Sequence, residues 1–449
     1  MDTGSPSLTP EIPQELVEKI IDYTHDSLPT LKSCSLVSHA WVSRARFHIF
    51  CDIVMAYPQR QGPFWTRDEY LEAQATIYRR LECLAHITSA TRILPSMPQL
   101  THNLVIDATI PEKVPELFPS LHPFRALRHL SIYDRRQPTD FAFPPEIFPD
   151  TPEGLNPEPL RSFLEKLPDL RSIKLRGLFI LDVGTLFRVF QGIHLPQLKQ
   201  LTLQCFDFYV HHAYDDSVTK LKECGHPIHP NRTKLEVLNL EVDVLRRQAF
   251  FKFLMHPTFP LDISALQTLV IAPIFDDLEN YAPLFIHCGS SLSRLIISLT
   301  DLQAESVGTD AHSPACLGHL QNLKYLELWI VPSSQSAIDM MAAAVESFVP
   351  PLRLQIRGLS IGLHDWKGRG VLGDESILHH SYVSLDQALV KCVGATDTVD
   401  PESSQREIDI EVSSSFGLNV GQVLEWFPRM QADSGIPELG VVLFDEWYD

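Results

Sequence analysis

The 449-residue chain carries 56 acidic residues against 37 Lys and Arg, a formal charge of −19; that balance argues against the broad basic surface that drives nucleic-acid binding. With 44% hydrophobic residues it has material for a sizeable core, and length for several domains or one extended repeat array. No run approaches the about 18 apolar residues of a membrane span, and MDTGSPSLTP lacks the basic and apolar regions of a secretory signal, so cytoplasm or nucleus is the expected location and a membrane is not an expected partner.

Residues 12–50 read IPQELVEKIIDYTHDSLPTLKSCSLVSHAWVSRARFHIF. Leu16, Val17, Ile20 and Ile21 recur at one-turn spacing, so a helix starting near Pro13 gathers them on a stripe, with Glu15 near the positive end of its dipole. A second short helix starting at Pro29 carries Leu31, Cys34 and Val37, and a third carries Trp41, Val42, Ala45 and Ile49. Three helices this short bury too little apolar surface to be secure alone, and a partner is the natural supplement.

The series Ile12-Pro13-x-Glu15-Leu16, Ile20-Ile21, Leu31 and Ser35-Leu36-Val37 followed by Trp41 resembles the F-box. Ile12 stands where that family usually has Leu, and Ser38 where it often has Cys. SLVSHAWVSRARFHIF is also similar to F-box proteins of mushroom-forming (basidiomycete) fungi. The resemblance implies a three-helix module that docks on the Skp-type adaptor of a cullin-RING ubiquitin ligase. The expected docking surface is Ile12, Pro13, Leu16, Ile20, Leu31, Leu36, Val37 and Trp41.

Residues 56–63 break the helical pattern with Pro and Gly, and 66–94 return to it through Leu71, Ile77, Leu81, Leu84 and Ile87, with Thr66 and Glu69 as a capping box. The chain is thus expected to divide into an F-box domain at 1–55, a helical connector at 56–98 and a repeat domain at 99–449.

From Leu127 a pattern LxxLxL recurs, starting at Leu127, Leu170, Leu198, Leu235, Leu266, Leu292, Leu323 and Ile356, with a weaker copy at Leu104 and Ile106. The starts are 43, 28, 37, 31, 26, 31 and 33 residues apart, close to what one strand plus one helix per repeat requires. The pattern resembles leucine-rich repeats of irregular length, which implies an α/β solenoid with parallel strands on the concave face and helices on the convex face. No single repeat closes a core, so only the stack is stable. Helices are expected at Gly184–Phe190, Ala337–Phe348 and Leu385–Val393; residues 134–159, with seven prolines, and 364–406 are expected as interrupting loops. Ile408 to Val412 and Val441 to Phe444 read as closing strands, with a helix near Val420–Phe427 between them.

Strand alternation locates the target surface. Residues flanking the last two apolar positions of each copy face away from the core: His129, Ser131 and Tyr133, Lys174 and Arg176, then Gln200, Thr202 and Gln204, Val237, Asn239 and Glu241. That face is expected to be polar and solvated until the later repeats, where Val270, Arg294, Ile296, Tyr325, Glu327 and Trp329 form an apolar and aromatic patch rimmed by charge, the composition of an interaction site.

The chain lacks GxGxxG, Walker A, HExxH and GxSxG sequences. Cys224-x-His226-x-x-His229, with His211 and His212 upstream, has zinc-suited residue types but no structural-site spacing, and reads as solvated loop. His287-Cys288, if on a strand, points its two side chains to opposite faces and makes no nucleophile pair. The eight cysteines lie scattered without a CxxC pair and read as small apolar residues of a reducing compartment. No catalysis, cofactor or metal is expected. The expected function is substrate recognition for a Skp-cullin-F-box ligase, with an adaptor-bound or free repeat scaffold as the alternative.

Overall fold

The computed structural model describes residues 12–56, 67–89, 97–107, 118–119, 121–133, 157–176, 183–204, 232–241, 250–251, 254–257, 259–271, 281–299, 315–330, 335–346, 358–363, 375–394, 407–413, 425–429 and 438–444. The chain divides into two compact units, Met1–Phe143 with Ser162–Arg171, and Pro144–Arg161 with Ser172–Asp449. The division falls among the LxxLxL copies.

In the first unit, α1 (Gln14–Asp22), α2 (Leu28–Val37) and α3 (His39–Phe50) are followed by β1 (Asp52–Met55), α4 (Arg67–Ser89), α5 (Met97–Leu100), β2 (Asn103–Asp107) and β3 (His129–Tyr133). Pro13 occupies the N-cap position of α1, where its missing N–H costs nothing. α2 starts one residue before Pro29, because the Ser27 hydroxyl accepts from the Thr30 N–H and caps it. Val17, Ile21, Leu31, Cys34 and Ala45 form a small core, with Trp41 and Ile49 packed against it. β1, β2 and β3 pair in parallel, and β2 is the weaker copy, with Leu104 and Ile106 buried. β1 belongs to no LxxLxL copy, yet it joins the same register.

α6 (Pro157–Leu164) straddles the division, and its first residues turn the end of the expected 134–159 loop into helix; Pro157 and Pro159 sit in its first turn, where proline is tolerated. The second unit then contains β4 (Ser172–Arg176), α7 (Val183–Phe190), β5 (Gln200–Gln204), β6 (Thr233–Lys234), β7 (Val237–Glu241), β8 (Leu261–Asp262), β9 (Thr268–Ile271), α8 (Ala282–Cys288) and β10 (Arg294–Leu299). It continues with β11 (Tyr325–Ile330), α9 (Gln335–Glu346), β12 (Gly358–Leu363), α10 (Glu375–Gly394), β13 (Glu407–Ser413) and β14 (Glu438–Phe444). Nine of these strands form one parallel sheet in the order β4-β5-β7-β9-β10-β11-β12-β13-β14, and β6 pairs with β8 apart from it. Parallel neighbours require crossovers of a dozen or more residues, which the repeat spacing supplies.

Register aligns the copies. Ile173, Leu201, Leu238, Leu269, Leu295 and Leu326 are successive partners, as are Leu175, Leu203, Leu240, Ile271, Ile297 and Leu328, and all are buried. The residue before each strand repeats one hydrogen-bond motif: the Lys199 carbonyl accepts from the N–H groups of Glu236 and Val237, Glu236 from Gln267 and Thr268, Gln267 from Ser293 and Arg294, and Ser293 from Lys324 and Tyr325, at 2.8 to 3.0 Å. The first Leu of each of these copies is buried beneath that motif. The crossovers contribute buried stripes of their own: Leu186, Val189 and Phe190 on α7, Leu284, Phe285 and Cys288 on α8, Ile338, Ala342 and Val345 on α9. α10 is longer than the expected 385–393 helix and packs along α9, where Lys391 pairs with Glu346 at 2.8 Å.

Candidate functional site

The first candidate surface is the outside of the three-helix module. The four residues expected on one stripe of α1 split: Val17 and Ile21 turn into the core, while Leu16 and Ile20 stay 50% and 43% exposed. Leu16, Ile20 and Tyr23 follow one another at intervals of four and three, so they share one outward face of α1, and Ile12 is exposed just ahead of Pro13. Leu28, Leu36 and Val37 are exposed as well, Leu36 at 86%. Of the expected docking residues, Ile12, Pro13, Leu16, Ile20, Leu36 and Val37 are therefore at the surface.

Leu31 is a correction. It is 1% exposed in the module's core and has no area left to offer a partner. Trp41 is half-buried against that core, so its loss would loosen the helices as well as change the surface. Tyr23 and Leu28 are exposed apolar groups that the motif had not singled out.

The module is fastened by charge. Asp22 at the end of α1 accepts from Arg44 Nε and Nη2 at 2.6 and 2.8 Å, and its Oδ1 lies 2.7 Å from His48 Nε2, both partners on α3. The hydrogen bonds from Arg44, then His48, hold the Asp22 carboxyl down at about 2. The Arg44 guanidinium also lies 5.1 Å from the Phe47 ring centroid.

The second candidate surface is the open face of β9, β10 and β11. Alternation behaves as expected here: Leu269, Leu295 and Leu326 are inside, while Val270, Ile296 and Glu327, successive register partners, are partly exposed. Arg294 lies beside Tyr325, which is 46% exposed. Arg294 Nη2 reaches diagonally to Glu327 Oε2 at 2.7 Å, and Trp329 Nε1 donates to Glu327 Oε1 at 2.7 Å. Both carboxylate oxygens are thereby occupied, and Glu327 is only 17% exposed. Val270, Arg294, Ile296, Tyr325, Glu327 and Trp329 are thus brought onto adjoining strands. Toward β5 the face differs from expectation. Thr202 and Gln204 are 3% and 8% exposed, so the face is covered there rather than solvated.

His287 and Cys288 lie on α8, a helix and not a strand. Burial pushes the Cys288 thiol up to about 12, and it donates to the Leu284 carbonyl at 3.0 Å. Cys34 is buried, Cys51 half-buried and Cys83 exposed, so the cysteines are not uniformly small core residues. Cys224, His226, His229, His211 and His212 lie outside the described residues, as does Thr66 of the capping box. Among the described residues no group of His, Cys, Asp and Glu could hold a metal, and no helix is long and apolar enough to cross a membrane.

No family model matches the chain, and no curated protein matches it.

Proposed function

We propose that this chain is a substrate-recognition subunit of a Skp-cullin-F-box ubiquitin ligase, in which the α1–α3 module is an F-box docking on the adaptor and the parallel array is a leucine-rich-repeat solenoid capturing a target protein. The observation that carries the reading is the imbalance in the N-terminal module. Five residues make its core, while seven large apolar side chains, Ile12, Leu16, Ile20, Tyr23, Leu28, Leu36 and Val37, remain exposed. A covering partner removes those side chains from water at roughly 1.5 to 3 kcal/mol for each one fully buried.

The open face of β9 to β11 is the target surface in this reading. Half-exposed Trp329, Tyr325 and Arg294 are of the residue types that dominate binding energy, set beside the aliphatic Val270 and Ile296. The chain contributes geometry rather than chemistry. Holding a target and the ligase on one scaffold makes transfer of ubiquitin to a target lysine effectively intramolecular.

Co-purification tests the reading. Recovery of the chain with both adaptor and cullin supports it; adaptor without cullin supports a scaffold outside any ligase, and neither refutes adaptor docking. Purified chain that formed a thioester with ubiquitin by itself would also refute it.

A further inference from the structure

We infer that the outer edge of β1 is a strand-addition site for an extended acidic segment of a partner protein, distinct from the adaptor-docking and target-capture surfaces. β1 has β2 as its one strand neighbour among the described residues. The Cys51 carbonyl points toward β2, where it accepts from His102 and Asn103. Backbone direction alternates along a strand, so the groups of Ile53 and Met55 turn the same way and the N–H and C=O of Val54 turn outward. An outer edge with unpaired backbone groups is a template for another extended chain.

The edge does not lie flush against its neighbours. A cleft of about 550 Å³ runs along it, lined by Ile49 and Phe50 of α3, by Asp52 to Met55, and by Thr76, Arg79, Arg80, Cys83 and Leu84 of α4. Its apolar contribution includes Val54, a large aliphatic side chain left 58% exposed. Its charge is basic. Arg79 is tethered only to its own helix, through the Ala75 carbonyl and the Thr76 hydroxyl, and Arg80 makes no hydrogen bond or ion pair among the described residues. The single lining carboxylate, Asp52, already accepts from Asn103 Nδ2 and from the Cys51 thiol at 3.2 Å. In a chain of charge −19, two exposed arginines along a strand edge that has no second strand neighbour among the described residues select an acidic strand rather than a basic one.

The experiment uses the full chain and a fluorescein-labelled hexapeptide of alternating valine and glutamate, followed by anisotropy and by hydrogen exchange across Asp52–Met55. Saturable binding with slowed exchange in that strand is expected. A lysine-for-glutamate version of the peptide should bind at least about tenfold more weakly, and so should the acidic peptide to the Arg79→Glu, Arg80→Glu variant. Val54→Pro removes the outward N–H while leaving the β2 ladder intact, as proline on an edge strand does, and should abolish binding. If that variant fails to fold, an acidic peptide N-methylated at alternate amides, added to the wild-type chain, replaces it and should not bind. Absence of saturable binding by the acidic peptide, equal binding of the lysine peptide, or retained binding by folded Val54→Pro would overturn the inference.

Discussion

Trp329 and Glu327 lie two residues apart on one strand, and the indole Nε1 donates to the Glu327 carboxylate at 2.7 Å while Arg294 of the adjoining strand takes the other oxygen. A buried indole would be satisfied by such a bond and hidden. Here Trp329 is half-exposed, so the bond orients an available surface. Trp329→Ala is expected to weaken target capture by at least about tenfold, the effect of a typical aromatic anchor, while leaving folding and adaptor binding unchanged. Capture assays with the wild type and the variant, paired with thermal melts, decide this. Equal capture would place the target elsewhere.

Alternation on β10 gives a sharper contrast. Leu295 is 0% exposed, whereas its neighbour Ile296 is half-exposed. Leu295→Ala should destabilise by about 2 to 5 kcal/mol, the range for an emptied core site, and Ile296→Ala by clearly less. Urea denaturation of both variants measures the difference. Similar losses would mean that both faces of the sheet are equally packed there.

Asp22 predicts a pH dependence. Its carboxyl is held at about 2 in the folded chain against an ordinary value of 3.8. A depressed carboxylate stabilises fully above its unfolded value and loses that contribution as pH falls through the folded one. The side chain is 41% exposed, so solvent screening keeps the contribution small, about 1 kcal/mol or less. The stability gap between wild type and Asp22→Asn should therefore be present at pH 6 and shrink between about pH 4 and pH 2. Denaturation of both proteins across that range checks it. A gap independent of pH would mean that the contacts with Arg44 and His48 do not depend on charge.

Gly289 closes α8. A Cβ there would collide with the backbone carbonyl oxygens of His319 and Phe285, neither of which can swing aside like a flexible side chain. Gly289→Ala should thus destabilise by roughly 1 to 3 kcal/mol, as overpacking does. A melting temperature equal to the wild type would show that the 315–319 turn moves freely.

The repeat register was legible in the sequence because each copy writes two buried positions at a fixed spacing, and a parallel ladder keeps those positions aligned from Ile173 to Leu328. β1 was not, because Asp52–Met55 is too short to carry the leading Leu of the pattern, although Ile53 and Met55 do alternate. Periodicity placed Leu16, Val17, Ile20 and Ile21 on one side of α1 but could not say where the inward half of an apolar stripe ends. The packing of α3 settles that by admitting Val17 and Ile21. For the same reason Leu31 was counted with the surface when it belongs to the core. For His287 and Cys288 the short apolar run APLFIHC reads equally as strand or helix, and the fold makes it a helix. The burial of Thr202 and Gln204 depends on what lies over the sheet, which no strand pattern records.

The most direct measurement is the equilibrium affinity of the full chain for a purified Skp-type adaptor, compared between wild type and the Pro13→Ala, Leu16→Ala double variant. Both positions are exposed on the same end of α1, so the substitutions change that outward face while sparing Val17, Ile21 and Leu31 in the core. Docking through this face predicts tight binding by the wild type and a loss of several tens of fold or more in the variant, at roughly 1.4 kcal/mol for each factor of ten. Undiminished adaptor affinity in the double variant would contradict it.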